Sequence, residues 1–131
     1  MLVPGKRPFH TIIPCMVLRD GALWSSYGVM GGLMQPQGHV QVLMDMVDWG
    51  MNPQEAIDTP RFEITAPWPD AVALERTIAM EEREKLQRMG HQIVDGRMFG
   101  FGGGQVIVVD PETGVRHGGS DPRKDGCIVA Y

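Results

Sequence analysis

Short apolar bursts, most of strand length, alternate along this chain with turn-forming clusters, and three stretches carry a helical character instead. Phe9 to Leu18 is apolar and reads as a strand, with Pro14 making it an edge strand or a bulged one. Arg19-Asp20-Gly21 then signals a tight hairpin, and Ala22 to Tyr27 is the returning strand. A helix is predicted over His39 to Trp49, with Val40, Leu43, Met44 and Val47 at i, i+3, i+4 and i+7 as its buried face. Gly50 ends it. Asn52-Pro53-Gln54-Glu55 restarts a short helix through a cap residue, a proline at the first position and a glutamate that reaches back. Pro60 stops it.

Short strands are expected at Arg61 to Thr65, Val72 to Glu75 and His91 to Val94. Between the last two, Thr77 to Met89 is a charged helix with Glu81–Lys85 and Glu84–Arg88 spaced to pair, and Leu86 and Met89 toward the core. Gln105 to Val109 and Cys127 to Tyr131 complete seven strands, with a turn at Asp110 to Gly114 and an irregular stretch from Gly118 to Gly126. Strands near each end and helices between them give an α+β fold, an antiparallel sheet packed with helices.

Candidate chemistry centres on Gly28-Val29-Met30-Gly31-Gly32, between a predicted strand and a predicted helix. Amides at a helix start lack intrahelical partners and sit at the positive end of the dipole. Such a turn can hold an anion or the oxyanion of an acyl transfer. The same glycines also suit a plain tight turn with close helix–sheet packing. The second glycine cluster, Gly100 to Gly104 around Phe101, precedes a strand rather than a helix, which is the wrong order for phosphate binding.

The 131 residues, 43% hydrophobic and 21% charged, make one globular domain. A net charge of -4 with scattered basic residues gives no pull toward nucleic acid or an anionic membrane. No apolar run is long enough to cross a bilayer. The first residues contain no signal-peptide core, and Cys15 and Cys127, both in apolar runs, read as buried reduced thiols, although a disulfide stays open. A cytoplasmic location is therefore favoured. No cofactor is expected, and neither cysteine has metal-ligand spacing. His39, His91 and His117 have no partner pattern and read as surface or helix-end residues.

Several separated segments resemble the gamma-glutamyltranspeptidase family of N-terminal nucleophile hydrolases. Gly5-Lys6-Arg7-Pro8 with His10-Thr11 and Pro14 is similar to its Gly-Lys-Arg-Pro, serine-pair and Ser-Pro-Thr segment. Gly28 to Gly32 is similar to its Gly-Ser-Pro-Gly-Gly. Trp49 to Ala56, Thr59-Pro60-Arg61-Phe62, and Ser120-Asp121-Pro122-Arg123 with Asp125-Gly126 match further segments in order.

The resemblance implies that residues 1–131 are an incomplete domain, the later part of a small subunit within an αββα sandwich. Its reaction moves a γ-glutamyl group from a small-molecule donor, such as a glutathione-type compound, to an amino acid, a peptide or water. A threonine at a processed amino end is the nucleophile and its own α-amine the base. By position, Gly31 and Gly32 would supply oxyanion amides, and His10 and Thr11 would stand where a serine pair contacts the substrate carboxylate. The nucleophile itself would lie upstream of Met1, so this chain alone is expected to be inactive. His10-Thr11 for the serine pair and Val29-Met30 for Ser-Pro leave room for another acyl group. A non-catalytic binding or assembly module is the competing reading. Either way, uncovered apolar faces predict self-association or association with the remainder of an enzyme.

Overall fold

The structure, a computed structural model, describes residues 2–64, 71–96 and 100–130. In chain order its elements are β1 (Cys15–Arg19), β2 (Ala22–Met30), α1 (Met34–Val47), α2 (Pro53–Asp58), β3 (Phe62–Ile64), β4 (Ala71–Leu74), α3 (Met80–Arg88), β5 (Gln92–Asp95), β6 (Gly103–Val109) and β7 (Arg116–Ser120). The expected α+β class holds. The larger sheet runs β1-β2-β6-β7 with every pairing antiparallel. Asp20 and Gly21 both take positive φ, 53° and 81°, the two-residue hairpin turn that Asp-Gly favours.

The terminal strands differ from expectation. Residues 9–14 are exposed and unpaired, because Pro14 has no N–H to donate and the ladder begins at Cys15. Residues 127–130 form no strand; the fourth strand is β7, whose glycines had read as irregular chain. Ile128 instead lies over Gly118, where a Cβ would come within 2.8 Å of its Cδ1. Cys127 is exposed rather than buried, Cys15 is half-buried, and both are free thiols.

α1 begins five residues before the predicted start. Pro36 falls in its first turn, where an amide hydrogen is not needed. Its buried residues are Met34, Gly38, Val42 and Met46, whereas Val40, Met44 and Val47 face solvent and Leu43 is half-buried. The reason is Gly38. Without a side chain it lets the helix settle on β2, with Val29 Cγ1 only 2.7 Å from where a Cβ would stand. The core follows from this contact: Trp24, Tyr27, Val29 and Val106 of the sheet against Val42, Met46, Ala56 and Ile57 of the helices. The helices cover one face. On the other, Met16, Leu18 and Ile107 are exposed.

The restart at Asn52 is a full capping box. Its side chain accepts from the Gln54 and Glu55 amides, and Glu55 Oε2 accepts from the Asn52 amide. A second sheet runs β3-β4-β5. Its β4–β5 pair is parallel, which departs from the all-antiparallel expectation and is made possible by α3 as the crossover. α3 carries the predicted pairs Glu81–Lys85 (3.0 Å) and Glu84–Arg88 (3.8 Å). Leu86 is half-buried and Met89 is exposed, so the helix contributes little core.

Candidate active site

β2 runs three residues past Tyr27, because Gly28, Val29 and Met30 pair with Gln105, Gly104 and Gly103 of β6. The chain then turns through Gly31 (φ 139°) and Gly32 (φ 63°). Their carbonyls accept from the Met34 and Gln35 amides, both at 3.1 Å, which starts α1. Their own amides find no acceptor among the described residues, and both glycines are exposed. Leu33 is the N-cap and offers no side-chain acceptor, and the first turn contains no acidic residue. The positive end of α1 is therefore open to an anion from outside.

The turn is held from beneath by backbone. A Cβ on Gly31 would lie 3.0 Å from Gly102 Cα, and one on Gly102 would lie 2.2 Å from the Met30 carbonyl oxygen. The Gly102 segment is fixed in turn by a buried ion pair. Arg61 Nη2 meets Asp121 Oδ2 at 2.8 Å. Arg61 Nη1 donates to the Phe101 carbonyl (3.1 Å), and the Gly104 amide donates to Asp121 Oδ2 (2.7 Å). Arg123 joins Asp121 to Glu75 and donates to the carbonyl of Ile57 in α2 at 2.8 Å and to that of Thr59, which caps the helix, at 2.9 Å. Burial pushes the Asp121 carboxyl up, but the Arg123 amide, the Arg61 charge and the Gly104 amide together hold it below the usual carboxylate range.

Beside the turn opens a cleft of about 280 Å³. Ile12, Ile13 and Pro14 form one wall, Met30 and Gly28 the sheet side, and Gln35 and His39 the helix side. His39 is firmly placed. Its Nδ1 lies 2.7 Å from the Gln35 carbonyl, its ring stands 5.2 Å from the Tyr27 ring, and its own carbonyl accepts from the Tyr27 hydroxyl at 3.0 Å. Burial, with help from the Cys15 thiol, pushes the Tyr27 hydroxyl far above its ordinary value, so it stays a donor.

The whole chain, residues 1–131, matches the model of the family described as Gamma-glutamyltranspeptidase. The chain belongs to the gamma-glutamyltranspeptidase family. It is 37% identical over 98% of its length to the Bacillus subtilis glutathione hydrolase-like YwrD proenzyme, and spans 25% of that protein. Among solved structures, a cephalosporin acylase from Bacillus halodurans matches with TM-score 0.89 and 45% identity, over 99% of this chain and 24% of that one. A mutant Helicobacter pylori gamma-glutamyltranspeptidase matches with TM-score 0.80 and 31% identity, over 94% of this chain and 66% of that one. The chain thus spans about a quarter of the length of the curated relatives it matches.

Within the gamma-glutamyltranspeptidase frame, Gly31 and Gly32 stand together on an open turn. His10 and Thr11 are exposed and do not line the cleft; the next three residues do. Sequence reasoning missed His39 as a cleft residue and Arg61 with Asp121 as the support of the turn. The signal for Arg61 was present, since a charged residue after Thr59-Pro60 in a short apolar run asks for a buried partner. No helix among the described residues is long and apolar enough to cross a membrane.

Proposed function

We propose that this chain is the acyl-contacting and oxyanion-stabilising portion of an enzyme that moves γ-glutamyl groups from glutathione-type donors to an acceptor amine or to water. The nucleophile is an amino-terminal threonine on a segment outside these 131 residues. Its hydroxyl attacks the donor carbonyl and yields its proton to the threonine's own α-amine. The carbonyl oxygen becomes an oxyanion, and the Gly31 and Gly32 amides donate to it. Collapse expels the leaving amine, which takes up the proton, and acceptor or water then releases the acyl group. His10 and Thr11 serve the substrate's carboxylate end. The remainder of the enzyme covers the exposed outer face of the larger sheet, and without it the chain self-associates.

The observation that supports this reading is the pair of unclaimed, exposed amides at the head of α1. Removing one such donor typically costs about 10²–10³ in rate. The test compares the chain alone with the chain joined to a threonine-led upstream segment, using γ-glutamyl-p-nitroanilide. Nitroaniline release only by the joined form is expected. Turnover by the chain alone, or none by a folded joined form, overturns the proposal.

A further inference from the structure

We infer that Gly102 is a positioning residue that aims the Gly31 amide at the oxyanion. This role rests on the acyl-transfer reading and deepens it, because it says which of the two glycine amides is fixed beforehand. A Cβ on Gly102 would lie 2.2 Å from the Met30 carbonyl oxygen and 3.4 Å from the Met30 carbonyl carbon. The two distances differ by roughly one C=O bond length, about 1.23 Å. The Met30 carbonyl therefore points almost straight at Gly102. The Met30 C=O and the Gly31 N–H belong to one peptide unit, and in a planar trans unit they point opposite ways. The Gly31 N–H is thus turned away from Gly102, which is buried, and Gly31 itself is exposed.

Gly102 is held in its place from both sides. Its φ of 72° is one that glycine adopts freely. Before it, Arg61 Nη1 donates to the Phe101 carbonyl at 3.1 Å. After it, the Gly104 amide donates to Asp121 Oδ2 at 2.7 Å, and Gly103 pairs with Met30 across the ladder. The approach of a Cα hydrogen to the Met30 oxygen is open only to a residue with no Cβ there. Gly32 has no comparable support, since a Cβ on it would meet nothing within 4 Å. Of the two donors, Gly31 is the one the fold presets. A donor fixed before charge develops costs no reorganisation at the moment of reaction.

Two substitutions separate aim from strain. Gly102→Ala and Gly102→Asn both drive a Cβ against the Met30 oxygen, but asparagine tolerates positive φ better. In the joined form with γ-glutamyl-p-nitroanilide, both are expected to lower kcat about 10²-fold and leave KM unchanged. That split marks an interaction made only in the transition state. The asparagine variant should unfold at the higher temperature of the two and yet recover no kcat. Gln41→Ala, which weakens the fold away from the turn, should keep the parent kcat. A second readout uses the 131-residue chain with isotope-labelled glycine. Amide relaxation should show Gly31 as rigid as the glycines of β6 and Gly32 more mobile. Residual dipolar couplings should show the Gly31 N–H reoriented in both variants.

Parent kcat in the folded variants, a loss confined to KM, or recovery of kcat by asparagine overturns the inference. So does a Gly31 amide no more rigid than that of Gly32, or one whose direction the substitutions leave unchanged. Should neither variant fold, the relaxation comparison on the unaltered chain still decides. A joined form without turnover loses the transfer reading alone, because the couplings still report the aim of the amide. Turnover with full kcat in both variants loses this inference alone.

Discussion

Gln41 of α1 and Phe62 of β3 exchange two hydrogen bonds. The Gln41 side-chain amide donates to the Phe62 carbonyl at 2.9 Å, and the Phe62 amide donates back to Gln41 Oε1 at 3.0 Å. One helical turn earlier Gln37 does the same for Ile64, at 3.3 and 2.7 Å. Two side chains four apart on a helix thus act as the missing neighbour of a sheet edge. An open edge invites another chain, so these glutamines satisfy a demand that would otherwise be met by aggregation.

Replacing Gln41 by alanine should therefore destabilise the chain by about 1–2 kcal/mol, the worth of two uncharged hydrogen bonds. Replacing Gln37 as well should raise self-association further. Urea unfolding reads the first effect, and light scattering across a concentration series reads the second.

Gly38→Ala pits two effects against each other. Alanine gains about 0.5–1 kcal/mol in helix propensity. Against that, its Cβ would sit 2.7 Å from Val29 Cγ1, and overpacking of this kind costs about 1–3 kcal/mol. The clash should win, so the variant unfolds at lower temperature despite being the better helix former. Calorimetry gives the sign directly.

That contact also explains where the sequence pattern misled. The spacing of Val40, Leu43, Met44 and Val47 is a sound helical stripe, and a helix does form there. Periodicity does not say which of two apolar faces goes down, and the choice was made by a residue with no hydropathy to register. The hairpin at Asp20-Gly21 and the box at Asn52 were legible because each is settled within four residues. The β7 strand was not, since Gly118 and Gly119 are strand residues only by virtue of pairing with Ile107 and Val106. Of the candidate site, the turn at Gly31 and Gly32 between a strand and a helix could be read from order and spacing. His39 could not, because its role depends on Tyr27 and on a wall formed by residues 12–14.

Gly31→Ala and Gly32→Ala should separate by mechanism. Both place a side chain at positive φ, but only at Gly31 does the new Cβ approach backbone, 3.0 Å from Gly102 Cα. The Gly32 variant should lose about 1–2 kcal/mol from conformation alone. The Gly31 variant should lose more. Paired denaturation curves test the order.

Asp121→Asn should cost about 3–5 kcal/mol at neutral pH, since it leaves the buried Arg61 without its countercharge. The pH dependence has a definite sign. The folded-state pKa of Asp121 lies below its ordinary value, so its contribution is complete above about pH 4 and is lost as pH falls through the folded value. Unfolding midpoints measured between pH 7 and pH 2 should show this acid loss in the parent and a flatter profile in the variant.

Arg61, Glu75 and the Asp121–Arg123 pair come from three distant stretches of chain and meet where water is scarce. A substitution at any one of them strands a charge on another. Descendants of this sequence can drift along the exposed face of α3, whereas these four positions are free to change only in concert, and the shape of the glycine turn is inherited with them.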